Sequence, residues 1–372
     1  VKITELMQLS SDTTAFPWEK RTPIDGLRAV IAIALALALG YATGHPSAGA
    51  IAAGTAYTVG FAVFHEALAS TLLSMGILTV VLASSTLAGS LGAAWTPLVM
   101  LLVLIAAINY GLLDQLGPTA GWMGMQAATY VIITSYFPHG LQYAVGRTAM
   151  VVAGGVLQML VFTCFHLVNP RTRRTLRTPL FQRVLDSLVD HWRRLPQQAR
   201  HLYDPTSYTV RLAVTLTLAT AIYRHYHVRN GYWSPMTALY VLKPAWSNTV
   251  SRGIARFVGT LAGAGLAVLL SLYAPLGSPA GLPVVLALVI LCAWGSYATQ
   301  AVNYATFSFF VTLYVVFLFR AGGFSQTAAA HIRLFNTALG GVIALAVDLV
   351  WRLLAPRSLQ PASAVAATEP HL

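Results

Sequence analysis

Charge is scarce in this sequence: Asp, Glu, Lys and Arg together make up 9% of its 372 residues, where a soluble domain carries roughly 25%. Acid is scarcer still, with 11 Asp and Glu against 23 Lys and Arg. Cysteine is nearly absent. Cys164 and Cys292 both lie inside apolar segments, which argues against a disulfide framework and against a cysteine-built metal site. Runs of strict apolar–polar alternation are missing, and that disfavours a membrane β-barrel. No glycine-rich loop ending in Lys-Ser or Lys-Thr occurs, so ATP drive within this chain is disfavoured. His225 and His227 have no third or fourth partner, so no metal is expected, and no cofactor. No nucleophile stands beside a base, so an enzyme is not expected.

What the chain does have is apolar length. Hydrophobic residues make up 56% of it, the composition of an integral membrane protein built as a helical bundle. The net charge of +12 would suggest nucleic acid in a soluble chain. Here it fits arginines at membrane edges and a lipid bilayer as partner. Residues 1–26 form a polar N-terminal segment with no signal-peptide pattern. Apolar segments follow near 27–43, 47–64, 70–92, 97–113, 119–137 and 142–168, then near 208–226, 231–245, 253–273, 281–299, 302–319 and 328–351. The run 47–64 is short enough to be re-entrant instead.

The two sets read as repeats. Gly49 and Thr55-Ala56 recur as Gly231 and Thr237-Ala238, Pro97 recurs as Pro283, and Arg147 with Gly154-Gly155 recurs as Arg333 with Gly340-Gly341. Arg28 and Arg211 open the first segment of each set. Offsets of 182 to 186 residues across these landmarks predict a duplication. The expected fold is an all-α integral membrane protein, with two parallel repeats of about six transmembrane helices each as a pseudo-twofold bundle (27–168 and 207–352).

Between the repeats, 169–206 is a basic linker with eight arginines. Thr178-Pro179 opens an apolar pattern at helical spacing, Phe181 to Leu195, which predicts an amphipathic helix on the membrane surface. The tail, 353–372, is rich in Ala and Pro and reads as disordered. With the linker inside, both termini are cytoplasmic and 18 of the 23 cations lie on the inner side, as the positive-inside rule asks. The outer half keeps Arg147, Arg224, Arg229, Arg320 and Arg333 with no acid to neutralise them, which attracts anions.

The stretch 230–265 organises the rest. Thr249, Arg252, Arg256, Gly259 and Gly263 are spaced three, four, three and four apart. On a helix they share one face, so two guanidiniums lie in line with two glycines that admit a neighbouring backbone. Gly231-Tyr232-Trp233, Thr237, Val241, Pro244, Thr249, Arg252, Arg256 and Gly259-Thr260 resemble the signature of the fusaric acid resistance family. That family is one of the aromatic acid exporters, distantly similar to plant aluminium-activated malate transporters. The resemblance implies a transporter in the bacterial inner membrane that exports small aromatic carboxylic acids, driven by the proton gradient. The plant relatives imply a passive anion channel as the alternative. Relatives often carry a cytoplasmic domain, which the short linker departs from, and often work with a periplasmic adaptor. Homo-oligomer formation stays open.

Candidate substrate-binding residues follow. Arg147 and Arg333 each begin the last helix of a repeat, where a pair of guanidiniums can hold a carboxylate, or else anchor to outer headgroups. Arg252 and Arg256 have no arginine counterpart at 69–73. Lys243 belongs to their cluster, and all three also suit an inner-edge anchor. Arg28 and Arg211 read as anchors. Tyr232 and Trp233 suit either a membrane belt, the safer reading, or stacking on an aromatic substrate. Pro235 can break its short helix. For proton coupling the candidates are Glu66, Asp114 and Asp348, the last having a simpler account as an ion pair with Arg352.

Overall fold

A computed structural model describes residues 12–65, 70–138, 140–168, 207–273, 279–323 and 326–354. Glu66, the amphipathic segment 178–196, residues 1–11 and the tail from 355 on lie outside the described residues, whereas Leu353 and Leu354, assigned to the tail, belong to the last helix. Among the described residues, the regular structure is all helical. The described residues form twelve α-helices: α1 (Pro23–Ala42), α2 (Pro46–Gly60), α3 (Thr71–Gly92), α4 (Thr96–Asp114), α5 (Pro118–Thr134) and α6 (Leu141–Val168), then α7 (Tyr208–His225), α8 (Trp233–Val241), α9 (Trp246–Tyr273), α10 (Leu282–Thr299), α11 (Tyr304–Ala321) and α12 (Gln326–Leu354). Nine are long and apolar enough to cross a membrane. Proline stands in the first two positions of α1, α2, α4, α5 and α10, where a helix makes no use of the missing N–H.

The short element is not the one the apolar pattern picks out. α2 continues through a 3-10 turn to Phe64, long enough to span, whereas α8 stops after nine residues. Pro235 does not break α8: it lies in the first turn, whose N–H groups have no intrahelical partner in any helix. The break comes at Leu242, which turns extended at φ −63°, ψ 128°, two residues before Pro244, which cannot continue the helix.

The same ordinal pairs of helices pack in both halves. α1 lies on α2, α2 on α6, α3 on α6, α3 on α5 and α4 on α5; α7 lies on α8, α8 on α12, α9 on α12, α9 on α11 and α10 on α11. Between the halves, α4 packs on α7 and α10 on α1. One pair of the landmark glycines, Gly154 and Gly340, sits at matching contacts. A Cβ on Gly154 would overlap the Ala52 carbonyl oxygen, and one on Gly340 the Ser234 carbonyl oxygen. Gly259 and Gly263 face the Ala305 and Phe309 carbonyls of α11 in the same way, the close approach their spacing predicts.

Hydrogen bonds between connections sort them into two rims. At the first, Arg224 donates to Ala93 O (3.1 Å), Ser135 O (3.2 Å) and Thr96 Oγ1 (3.1 Å), and Tyr41 donates to Ala321 O. At the second, Thr22 donates to Tyr297 O (2.9 Å), Trp294 to Pro23 O (3.0 Å) and Asn303 to Ala15 O (2.9 Å). Where the halves meet, Phe61 stacks on Tyr297 at 4.1 Å and Tyr57 on Tyr314 at 4.3 Å.

Candidate functional site

A cavity of about 890 Å³ lies among α2, α5, α8, α11 and α12 and reaches residues of both rims. Arg147, Arg229 and Gly322 line it near the first rim, and His65, Lys243, Arg252 and Gln300 near the second. Its wall holds six cations, Arg147, Arg229, Lys243, Arg252, Arg256 and Arg333, and no carboxylate among the described residues.

Each of four arginines lies over an aromatic ring. Arg252 is 3.9 Å from the Tyr304 centroid, Arg147 4.5 Å from Phe137 and 4.8 Å from Tyr143, Arg333 5.3 Å from Trp233, and Arg256 5.4 Å from Tyr240. A ring face stabilises a guanidinium without cancelling its charge, so the positive potential remains available to a ligand. The burial is deep: Arg333 is 2% exposed and Arg256 4%. Their direct bonds are long, Arg333 Nε to Thr312 Oγ1 at 3.5 Å and Arg256 Nη1 to Tyr304 OH at 3.4 Å. Arg333 Nη1, Arg256 Nε and Arg147 Nε are buried with no acceptor among the described residues. Leaving such a donor unsatisfied costs on the order of 1–3 kcal/mol, more for a charged group. A carboxylate is the acceptor that supplies both hydrogen bonds and charge.

All seven binding candidates, Arg147, Arg333, Arg252, Arg256, Lys243, Tyr232 and Trp233, therefore line one cavity. Tyr232 and Trp233 are 3% and 2% exposed, which replaces the membrane-belt reading: a belt residue faces lipid, and these face the protein interior. Arg252 remains partly exposed and sits 3.8 Å from Asp12. Lys243, in the loop 242–245, has its ammonium brought down to about 8 by burial, reinforced by Arg252. The acids lie elsewhere. Asp114 is exposed at the end of α4, packed on Gly121. Asp348 is fully buried, 2.7 Å from Arg211 and 3.6 Å from Arg352. Arg211, read as a membrane-edge anchor, is instead 6% exposed in the interior. Neither acid is on the cavity wall.

The middle of the cavity was not picked out by the sequence reading. Tyr130 donates to Thr55 and Thr58 (3.3 Å each), Tyr240 pairs with Thr129 (3.2 Å), and Tyr57 pairs with Ser296 (2.9 Å). These residues and Gln126 lie in or beside the wall. The available signal was the clustering of hydroxyl and amide side chains within apolar segments 47–64 and 119–137, since polar groups in a span usually face protein or a water-filled path.

The helices and this cation-lined, acid-free cavity define a multi-pass α-helical membrane protein with a chamber suited to anions. Residues 218–347 match the model of the family described as fusaric acid resistance protein-like, which assigns this region of the chain to that family. An uncharacterized protein of Haemophilus influenzae is 33% identical over 145 residues, 39% of this chain and 20% of its own length. An uncharacterized protein, ORF2, of Neisseria gonorrhoeae is 25% identical over 166 residues, 44% of this chain and 39% of its own length. The match thus spans well under half of either relative. No solved structure matches the chain.

Proposed function

We propose that this protein is an inner-membrane transporter of small organic anions, with aromatic carboxylates as the favoured substrates and export driven by the proton gradient. The observation that carries this reading is one cavity that holds buried, acceptor-poor guanidiniums and, among the described residues, no carboxylate. Its many aromatic side chains suit a ring. In this reading the first rim is periplasmic and the second cytoplasmic, with both termini and the 169–206 linker inside. Arg147 and Arg333 receive the anion toward the outer mouth; Arg252, Arg256 and Lys243 serve the inner one. The matching helix pairs and glycine contacts support a duplicated, pseudo-twofold architecture.

A passive anion channel is the second reading, favoured by the cavity's reach from rim to rim and by cations at both mouths. Flux of benzoate and 4-hydroxybenzoate into proteoliposomes separates the two. Accumulation against a gradient that collapses with a protonophore is the expected result. Flux that follows voltage alone makes the protein a channel, and no flux of either anion removes aromatic carboxylates as substrates.

A further inference from the structure

The turn after α8 is where the second half stops being an ordinary pair of spans. A helix leaves its last carbonyls without intrahelical donors, and here the residues after Val241 add further carbonyls to satisfy, with Leu242 extended and fully buried, Lys243 half-buried, and Pro244 and Ala245 exposed. The carbonyls of Leu242, Lys243 and Pro244 each accept from a side chain. Tyr208 OH donates to Leu242 O at 3.2 Å. Arg211 Nη2 donates to both Lys243 O (3.1 Å) and Pro244 O (2.9 Å). Thr249 Oγ1 donates to Lys243 O (3.1 Å) and accepts from Lys243 N (3.0 Å). A guanidinium also complements the negative end of a helix dipole.

Arg211 is itself held by Asp348 of α12, through Nη1 at 2.7 Å. Asp348 is also 3.6 Å from Arg352, whose guanidinium lies 5.7 Å from the ring of Trp246, the first residue of α9. One buried ion pair thus braces the turn, beside the contacts of Tyr208 and Thr249. From it project Lys243 and, within the next few turns of α9, Arg252 and Arg256. The same helix that supplies Asp348 carries Arg333 fifteen residues earlier (348 − 333), about 22 Å along its axis at the α-helical rise. Among the described residues, the first half has no such device. Phe162 occupies the position 186 residues before Asp348, and Arg28 pairs with Asp25 on its own helix. Burying an ion pair gains little stability over a well-packed apolar pair, so stability alone is a poor reason for this one.

We propose that Arg211 and Asp348 are positioning residues, which lock the 242–245 turn and thereby fix Lys243, Arg252 and Arg256 around the mouth of the cavity at the second rim. The functional importance of that mouth rests on the transporter reading; the locking itself does not, and its test is independent of flux. In full-length protein with Cys164→Ser and Cys292→Ala, a reporter Leu242→Cys is introduced, and a second reporter, Leu78→Cys, is placed separately in the fully buried core of the first half. Labelling by a sulfonated maleimide is followed with and without Asp348→Asn, which keeps the shape and removes the charge. Arg211→Lys is measured alongside, since it keeps the charge and loses the fork that reaches two carbonyls.

Local opening of the turn is expected to speed labelling at residue 242 by about tenfold or more in both variants while residue 78 stays protected. Unchanged labelling at 242 in both variants overturns the proposal. Faster labelling at both reporters in both variants also overturns it, because the pair then stabilises the whole fold. If wild-type protein carries neither benzoate nor 4-hydroxybenzoate, the proposed function falls while the labelling result stands.

Discussion

The two halves share a packing plan and differ in what they place at its centre. α2 runs on through a 3-10 turn to Phe64, whereas α8 ends at Val241 and gives way to a turn carrying Lys243. The helix after α2 begins with Ser70 accepting from Leu73 N and has no arginine; the helix after α8 brings Arg252 and Arg256. Arg147 is half-buried, with its Nη2 on Tyr143 OH at 2.8 Å, while Arg333 is almost fully enclosed. Arg28 makes a local pair, and Arg211 spans three elements. The difference teaches that helix pairing can be kept by small residues at fixed contacts while charge is free to diverge at positions that face the cavity.

The comparison can be broken first at the glycines. Gly154→Val and Gly340→Val each drive a side chain into a backbone carbonyl, and each is expected to cost about 1–3 kcal/mol or to stop folding outright. Gly341→Ala has open space around the added methyl and is expected to be neutral or slightly stabilising. Thermal unfolding in detergent measures all three. Equal tolerance of valine at 154 and 340 would remove the close approach as the shared constraint.

Arg211→Ala against Arg28→Ala is the next largest contrast. The first strips Asp348 of its nearer partner and leaves it only Arg352 at 3.6 Å, which costs up to about 3–5 kcal/mol for a buried pair. The second removes a partly exposed local pair of about 0.2–1 kcal/mol. Denaturant midpoints should differ accordingly, and similar midpoints would make Arg211 an edge residue like Arg28.

For ligand binding, Arg333→Ala is expected to weaken benzoate by roughly 10- to 100-fold, from a lost charge-assisted bond in a buried site worth about 1.5–3 kcal/mol. Arg147→Ala, at a half-buried guanidinium shared between two rings, should weaken it only about two- to fivefold, in keeping with an exposed charge. Calorimetric titration of solubilised protein gives both values; wild-type affinity in Arg333→Ala would take that residue out of the site.

The smallest effect is in pH. Lys243 loses its proton around pH 8, so its attraction for an anion is present below that value and fades above it. Benzoate affinity should fall about two- to threefold between pH 7 and 9, the size of one partly screened charge, and Lys243→Met should flatten that slope. A slope unchanged in Lys243→Met would assign it to another group.

How far the sequence reached can be seen residue by residue. Periodicity placed Arg252, Arg256, Gly259 and Gly263 on one helix face, because 3.6 residues per turn is a local rule. Local rules do not say what a face meets. Tyr232 and Trp233 at a span start look like belt residues until Tyr136, Phe137, Phe319 of α11 and Arg333 of α12 close over them, and Arg211 looks like an anchor until a carboxylate 137 positions away (348 − 211) lies beside it. Tyr57 and Tyr130 needed the fold as well, since each takes its role from a hydroxyl on another helix. By itself the sequence determined the helical membrane class, the matching landmarks in two halves and which cations stand apart from acids, all consequences of composition and spacing. Only the tertiary structure decided which of those cations share one cavity and which hold the chain in place. Burial and pairing depend on residues brought together across the whole chain, and no local pattern encodes that.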